Sequence, residues 1–281
     1  MRSDICVTIK PHPYGLRFFI LIAKRGRDLN PKIKKILPWA VFAAALAIWE
    51  LCVRAFHISL YILPAPTKII RAMIDNADVL WKHSLVTLSE ALIGLAISTF
   101  LAILLAVIMD LSGTVKTCVY PFLIVTQTVP VMVLGPLFSI WLGFGLAPKV
   151  LIVIFMCFFP IAVSFTDALG QVDRQQINLL RSFGASRWQI YSVVKIPAGA
   201  LALFSGLKVS ATYCMGGAIV GEWLSSSAGL GYYMLRVKNG YMLDKVFATV
   251  VVIILWSILL SAAVSAIQNL VFPHLRRKAH E

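Results

Sequence analysis

Residues 181–197 read RSFGASRWQIYSVVKIP, a polar, basic and glycine-interrupted stretch in a chain that is otherwise mostly apolar. The 281 residues are 59% hydrophobic and only 14% charged, whereas soluble domains average about 45–50% apolar and about 25% charged residues. A soluble fold of this length could not bury so much apolar surface. The composition therefore predicts a membrane protein, and the quoted stretch is then a polar loop between membrane spans.

Six apolar stretches are long enough to cross a bilayer, whose hydrocarbon core of about 30 Å needs roughly 20 helical residues. They cover about 36–56, 84–109, 118–142, 148–168, 201–223 and 244–270. The spans must be helices, because lipid offers no partners to unpaired backbone groups, and the short alternating segments of a β-barrel do not occur. The predicted fold class is an all-α polytopic membrane protein with about six transmembrane helices. The turn-like GFGLAPK at 143–149 predicts a tight hairpin between the third and fourth spans.

The distribution of lysine and arginine predicts the orientation of these spans. Seventeen lie on the side of the two termini and five on the other side. The positive-inside rule then places both termini and the loop 169–200 in the cytoplasm. We therefore expect a basic cytoplasmic leader (1–35), a transmembrane domain (36–272) and a cytoplasmic tail (273–281).

The net charge of +14 does not indicate nucleic-acid binding, because the basic residues sit between apolar spans rather than along one face of a soluble domain. The five cysteines are scattered and form neither a CxxC pair nor a metal-binding spacing. We expect no nucleic-acid partner and no metal site.

The loop around the quoted stretch carries the start and stop signals of two short helices. Asp173 and Gln176 have the spacing of a capping box, and Ser186 with Gln189 has it again. Gly184 between them can adopt the left-handed conformation that ends a helix. The pattern predicts two short cytoplasmic helices joined by a glycine elbow.

The first of these helices would carry Ile177, Leu180 and Phe183 on one face. An apolar stripe on a short exposed helix fits a groove on a cytosolic partner. The alternative is an interfacial helix that rests on lipid headgroups. The pattern alone favours neither interpretation.

The segment resembles the cytoplasmic signature loop of ABC importer permeases, the membrane subunits of binding-protein-dependent transporters. Gly184 and Ala185 match its glycine and the residue after it, and KIP at 195–197 matches its end. The Glu-Ala-Ala triplet of that loop is replaced by NLL at 178–180. The resemblance continues in TVPVMVLGPLFSIWLGFGLAPK (128–149) and GAIVGEWLSSSAGLGYYM (217–234), and over about 36–272 it is to the nitrate, sulfonate and taurine branch.

The resemblance implies a type I ABC importer fold of the MetI-like kind, with cytoplasmic coupling helices, in a bacterial cytoplasmic membrane. It implies three protein partners: cytosolic ATPase subunits, an extracytoplasmic solute-binding protein and a second permease copy, expected as a homodimer. This chain would then be no enzyme and hold no cofactor, because ATP and magnesium bind to the ATPase. In agreement, the sequence contains no GxxxxGK[ST] phosphate-binding loop. The residues expected to couple to the ATPase are Ile177, Leu180, Phe183, Gly184, Ala185, Arg187 and Pro197.

A polar side chain within a membrane span costs free energy, so a polar residue at such a position usually has a structural or functional role. The candidates for the translocation path are Gln127, Thr128, Pro130, Ser139, Tyr213 and Glu222. Glu222 is interpreted either as a gate at the outer mouth or as a carboxylate at headgroup level. Glu90 is expected to form a hydrogen bond to a residue of another span. Pro130 and Pro136 are expected to kink the third span.

Two features of the sequence bear on the identity of the solute. Mid-span, the sequence places no lysine or arginine except Lys208, and aromatic residues occur near the outer mouth at Trp223, Tyr232 and Tyr233. Both features fit a flat neutral ring better than an anion, and GEWLSSSAGLGYYMLRVK (221–238) resembles permeases associated with hydroxymethylpyrimidine, a thiamine precursor. Carriers of aliphatic sulfonates or taurine, or of riboflavin, are the alternatives, and a stand-alone secondary transporter is the alternative of another class.

Overall fold

The protein is described by a computed structural model over residues 31–272, and within those residues it is helical and contains no strand. The predicted tail and all of the predicted leader except 31–35 lie outside the described residues. The first helix, α1, covers Pro31–Ala55 and so already includes the end of that predicted leader. It belongs to a compact unit that ends at Ile58, and its apolar part, Ile36–Ala55, is long enough to cross a membrane.

The second unit begins at Ser59 and contains the remaining helices. They are α2 (Pro66–Asp75), α3 (Ala77–Leu111), α4 (Gly113–Thr126), α5 (Val131–Leu142), α6 (Leu146–Gly170), α7 (Arg174–Ser182), α8 (Arg187–Ile190), a π-helical turn (Tyr191–Lys195), α9 (Ile196–Ser225), α10 (Leu230–Asn239) and α11 (Leu243–Val271). Among the described residues five helices are long and apolar enough to cross a membrane, or six if α4 and α5 count as one span. The predicted all-α fold with about six spans is confirmed.

The third predicted span, 118–142, is not one continuous helix. It is broken between Thr126 and Val131, where α4 and α5 meet at 102°. The backbone N–H groups of Thr128 and Val129 bond to carbonyls three residues earlier, at 3.1 and 3.2 Å, which tightens the end of α4. Pro130 then has extended backbone and cannot donate to a helical ladder. The break therefore lies at Pro130, while Pro136 lies inside α5.

Helix α6 is the centre of the second unit, with α3 and α9 packed against it. Small residues allow this close packing, as is usual between membrane helices. A Cβ on Gly206 would lie 2.6 Å from the Pro160 carbonyl oxygen. Cys157 and Ser210 join the two helices, because Ser210 Oγ donates to the Cys157 carbonyl at 2.7 Å. Residues of the candidate site lie near both ends of this helix pair.

Candidate functional site

The loop that follows α6 contains a capped helix and a left-handed glycine, as its sequence predicts. Asp173 caps α7, although its carboxylate accepts from the N–H of Gln175, at 2.8 Å, rather than forming a box with Gln176. Gly184 has φ +79°, and its N–H bonds to the Arg181 carbonyl at 2.9 Å. The chain thus turns sharply after α7 in a conformation that glycine adopts without strain.

The second capping box is present with both of its hydrogen bonds. The Gln189 N–H donates to Ser186 Oγ at 3.3 Å, and the Ser186 N–H donates to Gln189 Oε1 at 2.7 Å. The helix that starts here is not a separate short helix, however. It passes through the π-helical turn and continues as α9, so the elbow is followed directly by a membrane span. The π-helical turn precedes Pro197, whose ring and missing N–H an ordinary α-helix accommodates poorly.

The apolar residues of the loop are largely uncovered. The Phe183 side chain is 80% exposed, Ile177 and Leu180 are half-buried, and α7 contains no buried residue. Ala185 is half-buried, while Arg187 and Pro197 are exposed. The structure therefore brings the predicted coupling residues, apart from Pro197, together around one elbow.

Asp110, which sequence reasoning did not single out, ties the elbow to the end of α3. Its carboxylate accepts from the Tyr191 hydroxyl and from Lys195 Nζ, the latter at 2.5 Å. Both partners belong to the π-helical turn. The sequence shows Asp110 as a single acidic residue at the end of a long apolar span. It does not show its partners, because they lie 81 and 85 residues away in the chain.

The candidate path residues do not form one group. Gln127 and Tyr213 line a cavity of about 230 Å³ next to the α4–α5 break. Its other lining residues are apolar or hydroxyl-bearing: Thr126, Val129, Val131, Phe155, Met156, Phe159 and Pro160. Thr128 and Ser139 instead donate to backbone carbonyls of their own segments, Val125 at 2.7 Å and Gly135 at 3.2 Å. Pro130 is exposed and does not line the cavity.

Glu222 lies away from this cavity, in a buried polar cluster. We use that name for His83, Thr87, Glu90, Lys149 and Glu222. The Glu222 side chain is only 1% exposed, so the protein encloses it almost completely. It accepts from Thr87 Oγ1 at 2.6 Å and from the Gly231 N–H at 2.5 Å. These bonds hold the start of α10 against α3 and the end of α9.

Glu90 in the same cluster bonds between helices, as predicted, and its partner is Lys149 of α6. Lys149 is only 7% exposed, and its ammonium group also donates to Ser226 Oγ at 3.2 Å. A second cation besides Lys208 therefore lies inside a span, and it is neutralised by Glu90. In the sequence Lys149 stands at the end of a turn-like segment, and nothing there signals this pair.

One of the aromatic residues expected at the mouth, Tyr233, is used for packing. Tyr233 is buried and stacks on His83 with ring centroids 5.3 Å apart. His83 Nδ1 in turn accepts from the Gly229 N–H at 3.0 Å. Tyr232 and Trp223 remain partly exposed. The described part of the chain has no group of three His, Cys, Asp or Glu side chains that could hold a metal ion.

Comparisons with known proteins agree with this architecture. Residues 98–277 match the family described as binding-protein-dependent transport system inner membrane component. The formylaminopyrimidine transport permease of Halalkalibacterium halodurans is 34% identical over 86% of this chain and 96% of its own length. The taurine transport system permease of Escherichia coli is 26% identical, over 82% and 86%. The riboflavin transport system permease of Chloroflexus aurantiacus is 28% identical, over 69% and 73%.

A solved structure shows the same fold. The crystal structure of an amino acid ABC transporter with histidines superposes with a TM-score of 0.55 at 16% identity, covering 70% of this chain and 94% of that one. The matched family covers the last 14 residues of α3 and every later helix, including the elbow at Gly184. The chain therefore belongs to the family of inner-membrane components of binding-protein-dependent transport systems, the permease subunits of ABC importers.

Proposed function

We propose that this permease carries a small neutral pyrimidine, of the hydroxymethylpyrimidine type that serves as a thiamine precursor. The observation that supports this solute most directly is the chemistry of the cavity beside the α4–α5 break, because no charged side chain lines it. The 34% identity to a formylaminopyrimidine transport permease points the same way.

The cavity offers the contacts that a flat heteroaromatic ring needs. Phe155, Phe159 and Tyr213 provide aromatic surface, and such ring pairs add about 0.5–1.5 kcal/mol beyond the burial of their area. The Gln127 amide supplies a donor and an acceptor for the edge of the ring. A pyrimidine therefore has both stacking and hydrogen-bonding partners on this wall.

The alternatives fit this cavity less well. Taurine or an aliphatic sulfonate carries an anionic group, which cations or several N–H donors normally bind. Riboflavin is flat and neutral, but its three fused rings need more room than one pyrimidine. A stand-alone secondary transporter does not fit membership of a family whose members work with an ATPase.

The proposal includes the partners that drive transport. Two ATPase subunits, which hold the ATP and magnesium, bind the elbow formed by α7 and Gly184, and an extracytoplasmic binding protein delivers the solute. The exposed Phe183 side chain and the half-buried Leu180 supply the apolar contact with the ATPase. A second copy of the chain completes the pathway, so that two cavities face each other in a homodimer. Both termini and the elbow are then cytoplasmic.

The test is uptake of labelled hydroxymethylpyrimidine, riboflavin and taurine by cells that express the complete transporter. The wild type is expected to accumulate the pyrimidine, and Tyr213→Ala to reduce the apparent affinity of uptake about three- to tenfold through loss of one ring contact. Thr212→Ala is the matched control, because Thr212 is exposed on the same helix and its hydroxyl bonds to the Lys208 carbonyl. Uptake of taurine alone would overturn the proposed solute and leave the family unaffected.

A further inference from the structure

A cationic pocket lies between the elbow and the end of α3. Its volume is about 190 Å³, and its charged lining consists of Asp110, Arg181, Arg187 and Lys195. Lys195 and Asp110 are paired with each other. Across residues 31–272, neither Arg181 nor Arg187 forms an ion pair with a carboxylate. The pocket thus presents two unneutralised guanidinium groups, which suit an oxyanion such as phosphate.

An apolar groove of about 160 Å³ adjoins this pocket. It is lined by Val107, Leu111, Trp188 and Tyr191 together with Arg187, so Leu111, Arg187 and Tyr191 line both spaces. The Trp188 side chain is 82% exposed, which is unusual for so large an apolar ring. The groove could therefore hold an apolar chain continuous with whatever anion occupies the pocket.

The two spaces are arranged in the order of a membrane interface. Leu111 is the last residue of the 35-residue span α3, and Val107 lies one helical turn back towards the apolar interior of that span. The cationic pocket lies at the end of the helix and the apolar groove runs inward from it. This is the order of headgroup and acyl chain in a lipid, and tryptophan and arginine are both typical at that level.

We propose that this composite site binds an anionic phospholipid. Its phosphate contacts Arg181 and Arg187, and one acyl chain lies against Val107, Leu111 and Trp188. The lipid would then bridge α7, α8 and the end of α3 beside the elbow. The proposal needs only that α3 crosses a membrane, so it stands independently of the transported solute. Free inorganic phosphate has the same anionic group as the lipid headgroup, but it has no apolar chain that would occupy the groove.

Trp188 is a built-in reporter for this site. The full-length chain is reconstituted into phosphatidylcholine vesicles that contain a small fraction of dibrominated phosphatidylglycerol or, in parallel, dibrominated phosphatidylcholine, whose acyl bromines quench tryptophan on contact. The fluorescence lost in Trp188→Phe isolates the Trp188 signal from the other six tryptophans. We expect Trp188 to be quenched more by brominated phosphatidylglycerol than by the same fraction of brominated phosphatidylcholine.

Arginine variants locate the site. Arg181→Gln and Arg187→Gln are each expected to reduce the preference for the anionic lipid about fivefold, the change in partition expected for loss of one surface charge. Arg181→Gln is the cleaner variant, since Arg181 lies on α7, away from Trp188 in the sequence. Arg174→Gln is the matched control, because Arg174 is an exposed arginine of the same helix that does not line the pocket.

Each outcome decides the proposal. A preference that falls in Arg181→Gln and persists in Arg174→Gln supports it. Equal quenching by both brominated lipids, or a preference that survives in the Arg181→Gln, Arg187→Gln double variant, overturns it. Loss of the preference on adding millimolar inorganic phosphate, but not potassium chloride of the same ionic strength, would assign the site to free phosphate instead. Circular dichroism checks that every variant is folded.

Discussion

At the scale of single residues, the loop between α9 and α10 leaves no space for a side chain at Gly229. Its φ of +107° and ψ of 166° fall in a region that is essentially restricted to glycine. A Cβ there would also overlap the Glu222 carboxylate, which is fixed by Thr87 and by the Gly231 N–H. Backbone geometry and packing therefore both select glycine at this position.

We predict that Gly229→Ala destabilises the protein more than backbone strain alone would. Strain at such a position costs about 1–3 kcal/mol, and displacing a bonded buried carboxylate adds to that cost. Gly143→Ala is the matched control, because Gly143 has φ +75° and ψ −170° but a Cβ at this position would have no neighbouring atom within 4 Å. Thermal unfolding in detergent is the measurement. Equal losses of stability in the two variants would show that the contact with Glu222 carries no cost.

The buried pair of Lys149 and Glu90 makes a second prediction at this scale. Lys149→Met leaves a buried carboxylate without its cation, and breaking such a pair typically costs about 3–5 kcal/mol. Glu90→Gln removes the negative charge that neutralises the buried ammonium group of Lys149. In the variant with both changes, the loss of stability should be clearly smaller than the sum of the two single losses. Additive losses in a double-mutant cycle would mean that the two side chains are not coupled.

The interaction partners of individual site residues could not be predicted from the sequence. Glu90 was expected to bond between spans because an acid inside a span needs a partner, and the structure confirms this. Its partner, Lys149, follows Pro148 near a glycine-rich turn, where a lysine is ordinarily solvated. The packing of α6 against α3 and against the end of α9 buries it. Asp110 and the π-helical turn are a similar case, because their contact depends on how distant segments of the chain meet.

At the scale of helices and loops, the signals that act within a few residues were predictable. The Ser186–Gln189 capping box and the left-handed Gly184 depend on neighbouring residues alone, and both occur as expected. The continuation of α8 into α9 was not expected, because the pattern predicted two short helices, and the π-helical turn that joins α8 to α9 has no simple sequence pattern. The α4–α5 break was expected only as a kink, whereas the two helices meet at 102°.

The capping box should control how firmly the elbow is joined to the membrane span. Ser186→Ala removes one side-chain cap, which typically costs about 1 kcal/mol of local helix stability. Hydrogen exchange is expected to rise in the amides of 187–191 and to stay unchanged in 174–182. Ser182→Ala is the control, because the Ser182 hydroxyl is exposed and bonds only back to the Asn178 carbonyl of its own helix. Unchanged exchange in Ser186→Ala would mean that the span alone holds this first turn.

At the scale of the whole molecule, the pattern of charge gives an orientation that can be tested directly. Asp110 and the elbow lie at one end of α3, while His83 and the start of α10 lie near the other. We predict that a cysteine introduced as Ser182→Cys reacts with a membrane-impermeant maleimide only after cells are permeabilised. One introduced as Asn239→Cys, in the exposed end of α10, should react in intact cells. Both belong in a background without the native cysteines, and the reverse labelling would invert the proposed orientation.

Family membership and fold class were accessible from the sequence because they rest on composition and on several motifs in order. The solute was less accessible, since the aromatic residues expected at the mouth include Tyr233, which is buried against His83. The structure instead brings Gln127 and Tyr213, two of the six path candidates, to one cavity. Those two lie in different helical segments of the chain, and only the bend between α4 and α5 and the packing of α9 bring them to one wall.

We propose that the elbow at Gly184 couples ATP hydrolysis on a partner chain to movement of a solute through this chain. The most direct test is uptake of labelled hydroxymethylpyrimidine into proteoliposomes that contain the permease, its ATPase and its binding protein. Wild type and Ser182→Ala are expected to show ATP-dependent uptake, whereas Phe183→Ala, which removes the 80% exposed ring, should hydrolyse ATP with little uptake. Uptake that needs no ATP, or undiminished ATP-driven uptake in Phe183→Ala, would contradict coupling through the elbow.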